Sequence, residues 1–299
     1  MNSTSVDRDT WTILCIIEWS ANHFSSKLVD SPRLTAELLL CHVLGCRRIE
    51  LYTNFDRILS PDELDRFKTC LKRRLAHEPV QYIVGSTEFM GLKLEVDRRT
   101  LIPRPETELL VEHVIERARD RGSRPIRILD IGAGSGNIAV SLASLIPSSE
   151  VIALDISTDA LDVARGNATR HAVEGRVKFA VYDIMGRDGA YDAEPFDFVV
   201  SNPPYIPAAD IPSLPPEIRE YEPLIALRDS GDGLSFFRRI GETGARLLKP
   251  DGWLFVEIGF DQRGAVCAIF GDLGYAQLRS FRDYAGIDRV IEAGAPASG

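Results

Sequence analysis

Ile126-Arg127-Ile128-Leu129-Asp130-Ile131-Gly132-Ala133-Gly134-Ser135-Gly136-Asn137 decides the fold. An apolar strand ends in an acid, and a loop of alternating glycines then opens a helix. Glycine lets the backbone turn sharply and lets a ligand approach closely. Gly134-Ser135-Gly136-Asn137-Ile138-Ala139 also fits the G-x-G-x-x-A pattern of nicotinamide and flavin enzymes, so the loop alone leaves its ligand open. Downstream, strand-like runs at 151–155, 177–182, 196–201 and 252–258 alternate with helical patterns near 136–146, 158–171 and 231–248. Such alternation predicts an α/β domain built on a mostly parallel sheet with helices on both faces. The end differs. A helix near 262–272 precedes two strands, 275–281 and 287–293, joined by Arg282-Asp283-Tyr284-Ala285-Gly286. That pattern predicts a terminal hairpin and an antiparallel last strand. Four prolines in 207–216 predict an extended loop.

Upstream of the glycine loop the pattern is different. Residues 8–78 read as helix. Ile13, Ile16 and Ile17 recur at helical spacing, and Leu34, Leu38, Leu39, Val43 and Leu44 keep one face up to Gly45. Ser60-Pro61-Asp62-Glu63 is a capping-box start for a helix with Leu64, Phe67, Leu71 and Leu75 on its core face. From Pro79, Gln81-Tyr82-Ile83-Val84-Gly85 and Leu92-Lys93-Leu94-Glu95-Val96 read as strands. The predicted organisation is a helical bundle over 1–78 that recognises the substrate, a β-hairpin linker over 79–100, and a catalytic domain over 101–299.

The chain has 299 residues, 44% of them hydrophobic, and a net charge of −9. Residues 1–80 are balanced between Lys/Arg and Asp/Glu, so the remainder carries the whole charge. That makes the remainder a poor duplex-binding surface, because nucleic-acid affinity rests largely on neutralising phosphates. Lys68, Lys72, Arg73 and Arg74 cluster, either as a basic patch or as a solvated helix face. The five cysteines (Cys15, Cys41, Cys46, Cys70, Cys267) show no C-x-x-C pair and no zinc spacing. Cys41, His42 and Cys46 lie close in sequence, but at helical spacing they read as buried thiols. No metal is expected. No apolar run reaches the roughly 18–20 residues of a membrane span, and no leader pattern opens the chain. A cytoplasmic protein is expected.

Three acids sit at successive strand ends: Asp130 before the glycines, Asp155, and Asp183. Asp155 is placed to accept both ribose hydroxyls of a nucleoside, and Asp183 to meet an adenine amino group. The loop has no Lys or Arg for a pyrophosphate. An adenosine ligand with a positive centre fits, and S-adenosylmethionine is one. At the end of the fourth strand stands Ser201-Asn202-Pro203-Pro204-Tyr205. Prolines cannot donate backbone hydrogen bonds, so this loop offers acceptors only: the Asn202 side-chain oxygen and the Pro203 carbonyl. Two acceptors suit a planar NH2 group, and Tyr205 supplies a face to stack on it.

These two motifs resemble those of class I S-adenosylmethionine-dependent methyltransferases that modify planar nitrogens. The wider sequence is similar to the peptide chain release factor N5-glutamine methyltransferases. The resemblance is carried by Glu78-Pro79-Val80-Gln81-Tyr82-Ile83-Val84-Gly85, Glu88-Phe89, Leu101-Ile102-Pro103-Arg104-Pro105-Glu106-Thr107-Glu108, Tyr221-Glu222-Pro223, Asp232-Gly233-Leu234 and Arg282-Asp283-Tyr284-Ala285-Gly286. It runs from about residue 30 to residue 292. It implies a Rossmann-like sheet and methylation of the glutamine side-chain nitrogen in the Gly-Gly-Gln motif of class-1 release factors, with S-adenosylhomocysteine leaving. It carries cofactor binding onto Gly132, Ala133, Gly134, Ser135, Gly136, Asp155, Ile184 and Asn202. Many relatives have an aromatic residue where Ile184 stands. Pro203, Pro204 and Tyr205 complete the substrate loop. Phe89 either closes the pocket over the amide or fills the hairpin core. Arg104 and Glu106 either anchor the linker beside the cofactor or pair with each other.

Other functions remain to be separated. An adenine N6-methyltransferase would use Asn202-Pro203-Pro204-Tyr205 on an extruded base, but the acidic catalytic half opposes it. A glutamine methyltransferase acting on a ribosomal protein shares most of the motifs. A non-catalytic adaptor gives no reason for the intact glycine loop, and a nicotinamide dehydrogenase gives none for the Asn-Pro-Pro-Tyr run. No direct nucleic-acid or membrane partner is expected.

Overall fold

The computed structural model describes residues 11–186 and 194–296, and two compact units. The parts of the sequence reading that fall on 1–10, 187–193 and 297–299 lie outside the described residues.

The first unit holds the described residues up to Gly85 together with Pro216–Tyr221. Its helices are α1 (Ile13–Ser26), α2 (Pro32–Leu44), α3 (Arg48–Thr53), α4 (Pro61–Leu75) and α5 (Val80–Val84). Each start has a local cause. Thr12 accepts from the Cys15 amide to cap α1. Pro32 opens α2, and Gly45 closes it in the left-handed region. Ser60 and Glu63 form the reciprocal box at α4, at 3.2 and 2.8 Å. Ile13, Ile17, Phe24, Leu39, Leu40, Leu51 and Phe67 form one buried cluster. On α2 the buried stripe is Ala36, Leu39, Leu40 and Val43, whereas Leu34 is exposed.

Residues 81–85 correct the sequence reading. They are not a strand; α5 runs through Val84 and Gly85 caps it. The Pro79 carbonyl accepts from the Tyr82 and Ile83 amides, and Gly85 ends the turn at φ +81°. Three of the four residues of the basic cluster are paired internally. Lys68 pairs with Asp65 at 3.0 Å, Arg73 with Glu78 at 2.8 Å, and the buried Arg74 with Glu217 at 2.8 Å.

The second unit begins with the hairpin β1 (Ser86–Phe89) and β2 (Leu92–Glu95). Met90 and Gly91 both take positive φ at its two-residue turn, the geometry that matches strand twist. Then follow α6 (Pro105–Asp120), β3 (Ile126–Ile131), α7 (Asn137–Leu145), β4 (Ser149–Asp155), α8 (Thr158–Arg170), β5 (Val177–Val181) and β6 (Phe196–Ser201). The proline-rich stretch is less extended than its composition suggests. Short β7 (Ile206–Pro207) pairs with β8 (Arg228–Asp229), a 3-10 turn spans Ile211–Ser213, and Pro216 opens α9 (Pro216–Tyr221), which clusters with the first unit. The unit ends with α10 (Ser235–Leu247), β9 (Leu248–Glu257), α11 (Arg263–Asp272), β10 (Ala276–Arg282) and β11 (Asp288–Gly294).

The seven-stranded sheet has the order β10-β11-β9-β6-β3-β4-β5. The five strands from β9 to β5 are parallel, and β11 is antiparallel to both of its neighbours. Alternate residues serve the two faces. Ile128, Val151, Phe198 and Val200 enter one core, and Leu129, Leu154, Val199 and Leu254 the other. Both faces are therefore covered, as a parallel sheet requires. The chain proceeds from β3 to one side through β4 and β5, and then returns to the other side at β6. Ligands of open α/β sheets bind at such a reversal, outside the carboxyl ends of the strands. Register aligns those ends: Ile131 lies opposite both Leu154 and Ser201. Gly132, Asp155 and Asn202 thus emerge side by side.

Candidate active site

A cleft open to solvent lies at that edge of the second unit. Its floor is the glycine loop. Gly132, Gly134 and Gly136 have φ of +84°, +53° and +78°, a region costly for other residues. Gly134 donates to Asp155 Oδ2 and Ser157 to Asp155 Oδ1, both at 2.8 Å. Asp155 therefore braces the loop as well as lining the cleft. Asn167, fully buried on α8, donates to the Ser135 carbonyl and exchanges two bonds with the Glu95 backbone. The loop is held from both sides.

Gly132, Gly134, Ser135, Asp155, Asp183 and Ile184 line the cleft. Asp130, Ala133 and Gly136 do not. Ala133 is buried, and a Cβ on Gly136 would stand 3.0 Å from the Ala164 Cβ, so Gly136 lets α7 and α8 approach. Asp130 lies wholly buried, and neither of its carboxylate oxygens has a hydrogen-bond partner among the described residues. Burial, and then the charge of Asp155, push its carboxyl up to about 7. Ile156, Tyr182 and Phe236 also line the cleft. The sequence reading missed them, although Ile156 directly follows the acid that ends β4.

Across the cleft stand Asn202, Pro203 and Pro204. Ser201 fastens this loop to β3 by donating to the Ile131 carbonyl at 2.6 Å. The Asn202 Nδ2 donates to Thr107 Oγ1 at 3.1 Å, and Thr107 donates to Glu257 Oε2 at 2.5 Å. The Asn202 Oδ1 and the Pro203 carbonyl accept no hydrogen bond among the described residues.

Two expected substrate residues are placed elsewhere. Tyr205 does not line the cleft. Its ring packs into the second core and its hydroxyl donates to Glu257 Oε1 at 3.3 Å, so it offers no stacking face there. Phe89 is 1% exposed within the first core, because the pleat of β1 turns it onto the sheet. It fills the hairpin core and does not close the pocket. Arg104 pairs with the buried Glu222 at 2.5 Å rather than with Glu106, and Glu222 also accepts from the Ile102 amide at 3.2 Å. This joins the Ile102-Pro103-Arg104 segment to Glu222-Pro223. No group of three or more His, Cys, Asp or Glu is gathered for a metal among the described residues, and no helix among them is long and apolar enough to cross a membrane.

Residues 16–85 match the family described as PrmC N-terminal domain, and residues 123–257 a methyltransferase domain. The release factor glutamine methyltransferase of Geobacter sulfurreducens is 40% identical over 284 residues, covering 95% of this chain and 96% of that one. That of Chlorobaculum tepidum is 42% identical, covering 95% and 98%. That of Rhodopirellula baltica is 38% identical, covering 97% and 98%.

Proposed function

The chain belongs to the release factor glutamine methyltransferases, and from that premise we propose that it methylates the side-chain nitrogen of the glutamine in the Gly-Gly-Gln motif of class-1 release factors. The observation that carries the reading is the pair of unused acceptors, Asn202 Oδ1 and the Pro203 carbonyl, on a loop that shares a cleft with two left-handed glycines, Gly132 and Gly134.

The cleft fits S-adenosylmethionine. The glycines admit close backbone approach, and the Asp155 carboxylate lines the cleft as an acceptor for ribose hydroxyls. When bound, it supplies an electrophilic methyl group on a sulfonium. The chain's own residues do the rest. An amide nitrogen is a poor nucleophile because its lone pair is delocalised into the carbonyl. Asn202 and Pro203 hold the NH2 group and favour positive charge developing on it. Fixing the amide in line is worth roughly 7–11 kcal/mol through proximity and orientation. The proton leaves after transfer, so no strong base is required. The helical unit, assigned to residues 1–78 from sequence, presents the release factor, and the enzyme works in the cytoplasm beside its substrate.

Asp155→Ala tests the cofactor side. It removes the ribose acceptor and leaves the Gly134 and Ser157 amides without their partner. Calorimetry should show S-adenosylmethionine affinity weakened by about 1–3 kcal/mol. Unchanged affinity would remove Asp155 from the cofactor site. For the substrate, label transfer from S-adenosylmethionine should reach an intact class-1 release factor and be lost when its Gly-Gly-Gln glutamine is replaced by alanine. Transfer instead to a ribosomal protein or to adenine in DNA would overturn the assignment.

A further inference from the structure

Thr107 and Glu257 lie in the second unit, and neither has been given a part in the reaction. Thr107 sits on the first turn of α6, within the Ile102-to-Glu108 motif, and is 1% exposed. Glu257 ends β9 and is 2% exposed. A buried carboxylate is costly unless its oxygens are hydrogen-bonded, and here both are: Thr107 donates to one, Tyr205 to the other.

The hydroxyl of Thr107 has one proton. Once that proton is committed to Glu257, the Thr107 oxygen can only accept from Asn202. The donor half of the Asn202 amide, Nδ2, is therefore drawn to Thr107, and Oδ1 is left to the cleft. An asparagine amide is nearly symmetric in shape, so packing alone would not select one face. The opposite face would present two donors to a substrate NH2, which has only donors to offer. Resting on the function proposed above, we infer that Glu257 and Thr107 are positioning residues: a one-way chain of hydrogen bonds, Asn202 to Thr107 to Glu257, fixes which face of the Asn202 amide meets the substrate glutamine.

Ionised, Glu257 has only acceptors to offer and enforces this direction. Burial pushes the Glu257 carboxyl up to about 7. Glu106 opposes its ionisation, and Arg289, held by Asp283, favours it. Protonated on Oε2, Glu257 donates to Thr107. Thr107 then donates onward, and Asn202 turns its oxygen inward. The maximal rate should therefore fall as pH drops through about 7. Burial raises the Asp130 carboxyl into the same range, and saturating S-adenosylmethionine keeps any change in cofactor affinity out of kcat.

The test compares Thr107→Val, Thr107→Ser and Glu257→Gln on a release factor at saturating S-adenosylmethionine. Valine keeps the shape and removes the acceptor, and kcat should fall about 10–100-fold. Cofactor Kd and KM for the factor should stay within about 3-fold of wild type. Serine keeps the hydroxyl and should recover kcat to within about 3-fold. Glu257→Gln should lower kcat and abolish the acid limb of its pH profile. A second readout needs no turnover. The Asn202 side-chain NH2 resonances of 15N-labelled enzyme, assigned by their loss in Asn202→Asp, should shift in Thr107→Val and, in wild type, between pH 8 and pH 6. Wild-type kcat in Thr107→Val, or NH2 resonances indifferent both to that substitution and to pH, would overturn the inference. If valine prevents folding, the serine variant and the wild-type titration decide it. Wild-type enzyme that transfers no methyl to glutamine would sink the functional reading, and the resonances would still judge the chain.

Discussion

Asn202→Ala is expected to lower the single-turnover rate at saturating cofactor by roughly 10²–10³, by analogy with the loss of one preorganised donor from an oxyanion hole. The substitution removes the unused Oδ1 acceptor and leaves a substrate N–H unpaired in a partly desolvated cleft. It also releases Thr107, whose hydroxyl oxygen loses the Nδ2 donor at 3.1 Å. Asn202→Asp is the sharper comparison. It keeps an acceptor of the same shape, adds a charge near the buried Glu257, and removes the donor to Thr107. It should retain more activity than the alanine variant and less than wild type. Single-turnover rates separate chemistry from binding. Rates near wild type for Asn202→Ala would show that another element holds the amide.

Gly136→Ala is expected to cost about 2–4 kcal/mol of stability, the sum of a left-handed backbone penalty and an overpacked contact. Gly136 has φ +78°, and its added Cβ would meet Ala164 Cβ at 3.0 Å, Ala164 Cα at 3.2 Å and Val140 Cγ2 at 3.3 Å. The nearest atoms belong to short side chains and backbone on α7 and α8, so relief requires the helices to part. Because Gly136 is the cap of α7, that movement also displaces Gly134 and Ser135 from the cleft. Denaturant unfolding should show a lower midpoint, and calorimetry a weaker cofactor. A variant as stable as wild type would mean that this close approach is not needed. Gly91→Ala offers a contrast: it shares the positive φ, but its Cβ would meet nothing within 4 Å, so it should carry the backbone part of the cost alone.

The sheet was legible because its strands are apolar runs closed by acids, glycines or the Ser201-Asn202 pair. β3 and β6 fall on 126–131 and 196–201 as the pattern predicts. The antiparallel end was legible because Asp283 and Gly286 mark a tight turn between two strand patterns. Residues 81–85 misled because five residues cannot distinguish period 2 from period 3.6. Tyr82, Ile83 and Val84 favour strand locally, while Pro79 and Gly85 enclose a helical turn. Phe89 and Tyr205 misled for another reason. Their positions in the motifs were clear, but a sequence does not say which side of a short strand or loop faces the core. Glu257 carried a signal that went unused. An acid beside Leu254, Phe255, Val256 and Ile258, all fully buried, is a buried charge that requires partners.

The central claim is that the methyl group reaches a glutamine side-chain nitrogen held by Asn202 and Pro203. Its most direct test is tandem mass spectrometry of a class-1 release factor after incubation with the enzyme and isotopically labelled S-adenosylmethionine, with fragments that isolate the Gly-Gly-Gln glutamine. The account predicts one added methyl on that side-chain amide, and its near-complete loss over the same time with Asn202→Ala. A methyl on any other residue of the factor, or equal labelling by the Asn202→Ala enzyme, would contradict it.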